Sequence, residues 1–155
     1  MVNQLQKNNQ IIENNLYDTD FYLWIETTVK QLEEKQFNQL DLVNLIEEIA
    51  DMGKREKQSL KSNLRVLVMH LLKYKCQPEK RTRSWLLTIN EHRQRILDTL
   101  EDSPSLKNYY QEMFYKCYQN ARKNASIETG LNLNIFPEIP PFNLDEVLNQ
   151  DFLPE

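Results

Sequence analysis

Apolar residues recur every three or four positions along most of this chain and almost nowhere alternate, which is the signature of helices. Phe21, Trp24, Ile25, Thr28, Val29 and Leu32 fall on one face, predicting a helix that is capped at Asp18 or Thr19, buries that face and ends near Glu34. Asp41 is a good cap for the next helix, whose stripe is Leu42, Leu45, Ile46 and Ile49 and runs toward Met52-Gly53. A polar stretch, Lys54 to Ser59, then gives way to the apolar run Leu64 to Leu72. Val66 to Leu72 is apolar almost all the way round, as expected of the central helix of a bundle. Pro78 closes that segment, and Thr82 or Ser84 opens a helix to about Glu101. Ser103-Pro104 is a further start signal, because proline at a first helical position loses no hydrogen bond. Leu106, Tyr109, Tyr110, Met113, Phe114, Cys117 and Ala121 make the cleanest stripe, and Gly130 is a natural stop. Phe136 to Pro141 reads as extended chain, after which Asn143 caps a short helix over Leu144 to Gln150.

The expected architecture is all-α: a four- to five-helix bundle over 16–130 and an extended, proline-rich tail with one short helix over 131–155, together a single domain. Residues 1–15 are too polar to hold a fold and read as a disordered arm. One length does not fit. A single helix over 42–76 would be about 50 Å long at 1.5 Å per residue. A compact domain of this size is roughly 39 Å across. The sequence therefore predicts a break or kink near Gly53, or else an elongated or dimeric molecule.

Composition narrows the function classes. Two glycines are too few for a phosphate-binding loop, a dinucleotide-binding turn or a turn-rich all-β fold. Two unpatterned cysteines give neither a disulfide framework nor a structural zinc site. No run is apolar enough to span a membrane, and the Asn/Gln-rich start does not look like a signal peptide, so a soluble cytoplasmic protein without membrane partners is expected.

Charge is uneven. Residues 54–95 hold twelve Lys/Arg and three Asp/Glu, a net of +9, which leaves −13 for the rest of a chain whose total is −4. Either the basic middle is matched by acidic neighbours within the chain or across a dimer, or it is a surface for phosphate or an acidic protein. Tyr74, Trp85, Arg81 and Arg83, interleaved there, would suit base stacking or phosphate clamping.

Arg93 is the most informative single residue. It falls in the middle of the apolar arc of Trp85, Leu86, Ile89, Ile96, Leu97 and Leu100. A guanidinium directed into a core needs a carboxylate or several carbonyls. The structural reading is an ion pair, with Glu47 or Glu48 as candidates; the functional reading is a ligand-binding arginine. Glu47, Glu48 and Asp51 lie off the Leu42/Leu45/Ile46/Ile49 stripe and read as a solvated face or as partners for the basic helices, with a metal or general-base role as the sharper option. His70 and His92 lack the glutamate three residues earlier that di-metal bundles use. His70, at the edge of the most apolar face, reads as a hydrogen-bonded core histidine or an acid–base group. Lys73 reads as an ion-pair partner, Trp85 as core, and Cys76 and Cys117 as reduced thiols without a neighbouring base. No metal or cofactor is implied.

Longer strings carry a resemblance. Leu16-Tyr17-Asp18-Thr19-Asp20-Phe21-Tyr22 with Trp24, and Asp41-Leu42 followed by Leu45-Ile46-Glu47-Glu48-Ile49 and Met52-Gly53, are similar to the helical, mainly cyanobacterial family filed as domain of unknown function number twenty-nine. The likeness continues through His70-Leu71-Leu72-Lys73, Gln77-Pro78, Arg81, Arg83-Ser84-Trp85, Arg93 and Ser103-Pro104-Ser105-Leu106 to Phe136-Pro137, Pro140 and Phe152-Leu153-Pro154. Tyr74 stands where the pattern has tryptophan, and His92 where it has glutamine. The resemblance implies a helical fold and a bacterial cytoplasmic setting, and it groups Glu47, Glu48, His70, Lys73, Arg81, Arg83, Trp85 and Arg93 into one signature; it implies no activity.

The joint expectation is that these residues converge as one polar network, which is structural if its members pair completely and a site if they do not. Three function classes follow. The first is a non-enzymatic helical interaction module that self-associates or binds a protein partner. The second is a nucleic-acid or polyanion binder through 54–95. The third is an enzyme or metal/ligand site built on Glu47, Glu48, His70 and Arg93.

Overall fold

A computed structural model describes residues 16–155. The arm expected over 1–15 lies outside the described residues. The fold is all-α, with no strand among the described residues. After a helical turn over 16–19 come α1 (Phe21–Glu33), α2 (Leu42–Cys76), α3 (Arg83–Asp102), α4 (Leu106–Thr129) and the short α5 (Leu144–Leu148), with 3₁₀ turns between several of them. The chain divides into two compact units, 1–53 and 54–155.

In the first unit α1 starts two residues later than the sequence suggests, because Asp20 rather than Asp18 or Thr19 is its cap and accepts from the Leu23 amide at 3.0 Å. Lys35, at φ +57°, ends α1 in the left-handed conformation and lets the Gln36 amide reach back to the Gln31 carbonyl at 2.8 Å. Asp41 caps α2 as expected, accepting weakly from the Asn44 amide at 3.4 Å.

The break expected near Gly53 does not occur: α2 is one helix of 35 residues. A helix-interior glycine costs only about 1 kcal/mol relative to alanine, and it keeps the amide that a proline would remove. Met52, Lys54, Arg55, Glu56 and Lys57 around it are all good helix formers.

The second unit holds the core. Leu60, Leu64, Leu67, Val68, Leu71 and Leu72 of α2 are fully buried with Ile89 and Ile96 of α3, and with Cys117, Tyr118, Ala121 and Ala125 of α4. α3 and α4 bury most of the stripe that their sequence announces, although Leu86 of α3 stays exposed. Gly130, at φ +71°, ends α4 as predicted. Ser103 does not cap α4; the helix starts at Leu106, after a turn in which the Leu106 amide bonds the Ser103 carbonyl.

The tail is integral to this core rather than an appendage. Phe136, Phe142 and Val147 are buried in it. Polar side chains of the helices hold its backbone: Tyr118 donates to the Pro137 carbonyl at 2.6 Å, Arg122 to Phe136, Gln119 to Glu138 and Tyr110 to Leu144. Asn143 and Glu146 close a capping box on α5.

Candidate functional site

The residues grouped by sequence separate into local sets. Glu48 accepts a hydrogen bond of 2.7 Å from the Tyr17 hydroxyl within the first unit. That carboxylate, ahead of the smaller effect of burial, pushes the Tyr17 hydroxyl up to about 12. Glu47 is exposed.

Arg93 is 2% exposed and gives three nitrogens to the tail: Nε to the Val147 carbonyl at 2.8 Å, Nη1 to Gln150 at 3.3 Å and Nη2 to Phe152 at 3.0 Å. The expected ion pair with Glu47 or Glu48 is therefore replaced by carbonyls. Those carbonyls need donors because the end of a short helix and the chain after it leave them without intrahelical partners.

Arg81 works in the same way, donating to the Tyr74 and Pro154 carbonyls and lying 4.1 Å from the centre of the Tyr74 ring. Lys75 donates to the Glu155 carbonyl at 2.9 Å. Part of the basic segment thus serves as a set of donors for the tail backbone.

Lys73, 3% exposed, pairs with Glu128 and sits 4.4 Å from the centre of the Trp85 ring, so its ammonium is shared between a carboxylate and a π face. Trp85 is half-buried, and Arg83 is exposed at the start of α3. His70 Nδ1 lies 3.0 Å from the Val66 carbonyl, and His92 Nδ1 lies 2.7 Å from Asn63 Oδ1. Both acceptors require the proton on Nδ1.

Burial holds both imidazoles below their ordinary value, with the neighbouring Arg95 adding to the effect at His92. The unfolded chain therefore binds more protons than the native one between the lowered and ordinary values. Their contribution is complete above about pH 6.5 and is lost as pH falls below it. A melting temperature followed from pH 7.5 to 5.5 is expected to drop, and to drop measurably less in a His70→Gln/His92→Gln variant; equal drops would exclude these histidines as the cause.

Burial pushes the thiols of Cys76 and Cys117 up, away from the reactive thiolate. Among the described residues no group of three or more His, Cys, Asp or Glu is placed to hold a metal ion, and no buried side-chain nitrogen or oxygen lacks a partner.

What sequence reasoning missed lies in the first unit. Trp24, Thr28 and Gln31 are the buried residues of α1. Trp24 is fixed by edge contacts and stacking with Tyr17 and Phe21, and its Nε1 donates to Asp41. The rest of the expected buried face is open: Phe21, Ile25, Val29 and Leu32 are 38–48% exposed. On α2, Leu42, Ile46, Ile49 and Met52 are 53–65% exposed.

The contacts Trp24–Asp41 and Tyr17–Glu48 run in opposite directions along the two segments, so the hairpin is antiparallel. At 100° per residue, both exposed stripes are rotated the same way from the contact line, and in an antiparallel pair that places them on one side. Seven large apolar side chains share that side; Met52, eleven residues after Asp41 and four after Glu48, lies on the contact line instead. The signal was present in the sequence: two helices with wide apolar faces, of which only one narrow strip was needed to hold them together.

A family model described as "Domain of unknown function DUF29" matches residues 16–153. No curated protein and no solved structure matches the chain. No helix among the described residues is long and apolar enough to cross a membrane.

Proposed function

Because the chain belongs to the DUF29 family, whose description carries no activity, we propose a function from the site itself: a non-enzymatic helical interaction module of the bacterial cytoplasm, docking through the 21–52 hairpin. One observation carries this reading, the open apolar side made by Phe21, Ile25, Val29 and Leu32 of α1 with Leu42, Ile46 and Ile49 of α2. From their exposures it amounts to roughly 600 Å², at the top of the range for the largest apolar patch on a monomeric protein, where such patches are often functional. Leaving it in water costs about 25 cal/mol per Å², so a protein that covers it gains substantially. By contrast, Arg81, Arg93 and Lys73 of the basic segment are spent on carbonyls, a carboxylate and a ring, which weakens the polyanion reading.

The test is an Ile46→Asp/Ile49→Asp variant. Both side chains are exposed, so its melting temperature should stay within about 2 °C of wild type when the two are compared at a dilution at which neither associates. Its association with a protein, whether a second copy or another chain, should be lost in sedimentation and in retention from native extract. Identical association by both forms would reject the hairpin as the docking surface.

A further inference from the structure

We propose that the occupant of this surface is a second copy of the chain, with the two α2 helices antiparallel so that Leu42 of each fills the space over Gly53 of the other and Ile46 meets Ile49. The proposal rests on the docking reading above and names its partner.

Gly53 is the starting point. Its φ is not left-handed, so its conformation does not demand glycine, and a Cβ built there would meet nothing within 4 Å. Nothing within the chain uses the missing side chain, yet a helix-interior glycine costs about 1 kcal/mol. Such a residue suits a place where another chain comes close. Gly53 also lies on the open stripe, since Leu42, Ile46, Ile49 and Gly53 follow one another by four, three and four residues. Seven residues on, the same stripe continues as Leu60, Leu64, Leu67 and Leu71, all fully buried. One helix thus carries one continuous apolar seam, covered by its own chain after Leu60 and uncovered before it. Met52 to Ser59 are exposed on every side of the helix, with the Lys57 ammonium 5.1 Å from the centre of the Tyr109 ring, so little apolar burial supports the two turns around the glycine.

Size and symmetry select the occupant. Roughly 600 Å² per copy, doubled across a two-fold axis, reaches the lower end of the 1,200–2,000 Å² of a specific protein interface. An isologous pairing requires a self-complementary surface. Antiparallel alignment centred between Ile46 and Ile49 sets large against small at Leu42 and Gly53, and isoleucine against isoleucine between them. A parallel pairing would set glycine over glycine, leaving a void, and leucine against leucine. Two hairpins joined in this way bury Phe21 and Ile25 at the margins and complete a four-helix arrangement.

The experiment uses sedimentation equilibrium and oxidative crosslinking on the full chain. Wild type should have twice the mass of the chain at micromolar concentration, and Ile46→Asp/Ile49→Asp should raise the dissociation constant by about a hundredfold or more. A mixture of Leu42→Cys and Gly53→Cys chains should form a covalent dimer, while either variant alone, and wild type with its own Cys76 and Cys117, should not. Disulfides require Cα atoms within about 7 Å, so the pattern reports register directly.

Covalent dimers from either single variant alone would overturn the antiparallel register. A monomeric wild type would overturn the second copy as occupant; the docking reading would survive that result only if the aspartate variant still lost a different protein. Deleting residues 1–15 separates the remaining case: if deletion of that segment is what first creates dimers, the segment is the native cover and the proposal fails.

Discussion

Arg93→Met is expected to lower the stability of the second unit by about 2–4 kcal/mol, a melting-temperature loss on the order of 10 °C. Methionine fills much of the same volume and brings no polar group, so packing survives. What is lost is the donor set for three tail carbonyls, one of them in a buried bond. Leaving an acceptor buried without a partner costs about 1–3 kcal/mol, and bonds to a charged donor are the stronger kind. Water can reach the two part-buried carbonyls, which favours the lower end of the range. Arg93→Lys should recover little, because a compact ammonium cannot replace a planar fork that spans three acceptors. Thermal unfolding by circular dichroism checks both variants. A melting temperature for Arg93→Met within 2 °C of wild type would show that the tail is held by its apolar side chains alone.

A chain ended at Pro141 is expected to lose the cooperative fold of the second unit altogether. It removes Phe142 and Val147 from the core, and with them the half-buried Leu144, Leu148 and Phe152 packed against it. At about 1.5–3 kcal/mol for each large side chain fully buried, the loss is on the order of 5–10 kcal/mol, comparable with the whole stability of an ordinary domain. Arg93 would then be left facing a core without its carbonyls, which adds to the cost. The expected signature is retained far-ultraviolet helicity with a broad melt, dye binding and rapid proteolysis. A sharp transition near that of wild type would refute the claim that the tail is part of the core.

The helices were legible because period and caps are local properties. The stripes of α3 and α4, Thr82 as the cap of α3, Gly130 as the stop of α4 and Asn143 as the cap of α5 all follow from residues within one or two turns of each other. Arg93 could be singled out because a charge inside an apolar arc violates the pattern. Its partners could not, since they are backbone carbonyls, and a carbonyl has no residue type to recognise. The same holds for Arg81 and Lys75. Glu128, the partner of Lys73, is 55 residues away and looks like any exposed helical glutamate in sequence. The open side of the hairpin failed for the opposite reason: the period of Phe21, Ile25, Val29 and Leu32 is right, but period alone does not say whether a face is covered by its own chain.

By itself the sequence determined the class of the fold, the caps of α3 and α5, the stop of α4 and which stripe of each helix is apolar, because helix geometry turns residue spacing into direction. It also placed the charge at Arg93 and the odd glycine at position 53. Only the tertiary structure decided what each stripe meets. It gave the stripes of α3 and α4 a core, gave the basic residues a tail backbone to hold, and left the stripe of α1 and the first half of α2 open to water. The physical reason is that burial and hydrogen-bond pairing depend on residues far apart in the chain, whereas period and capping do not.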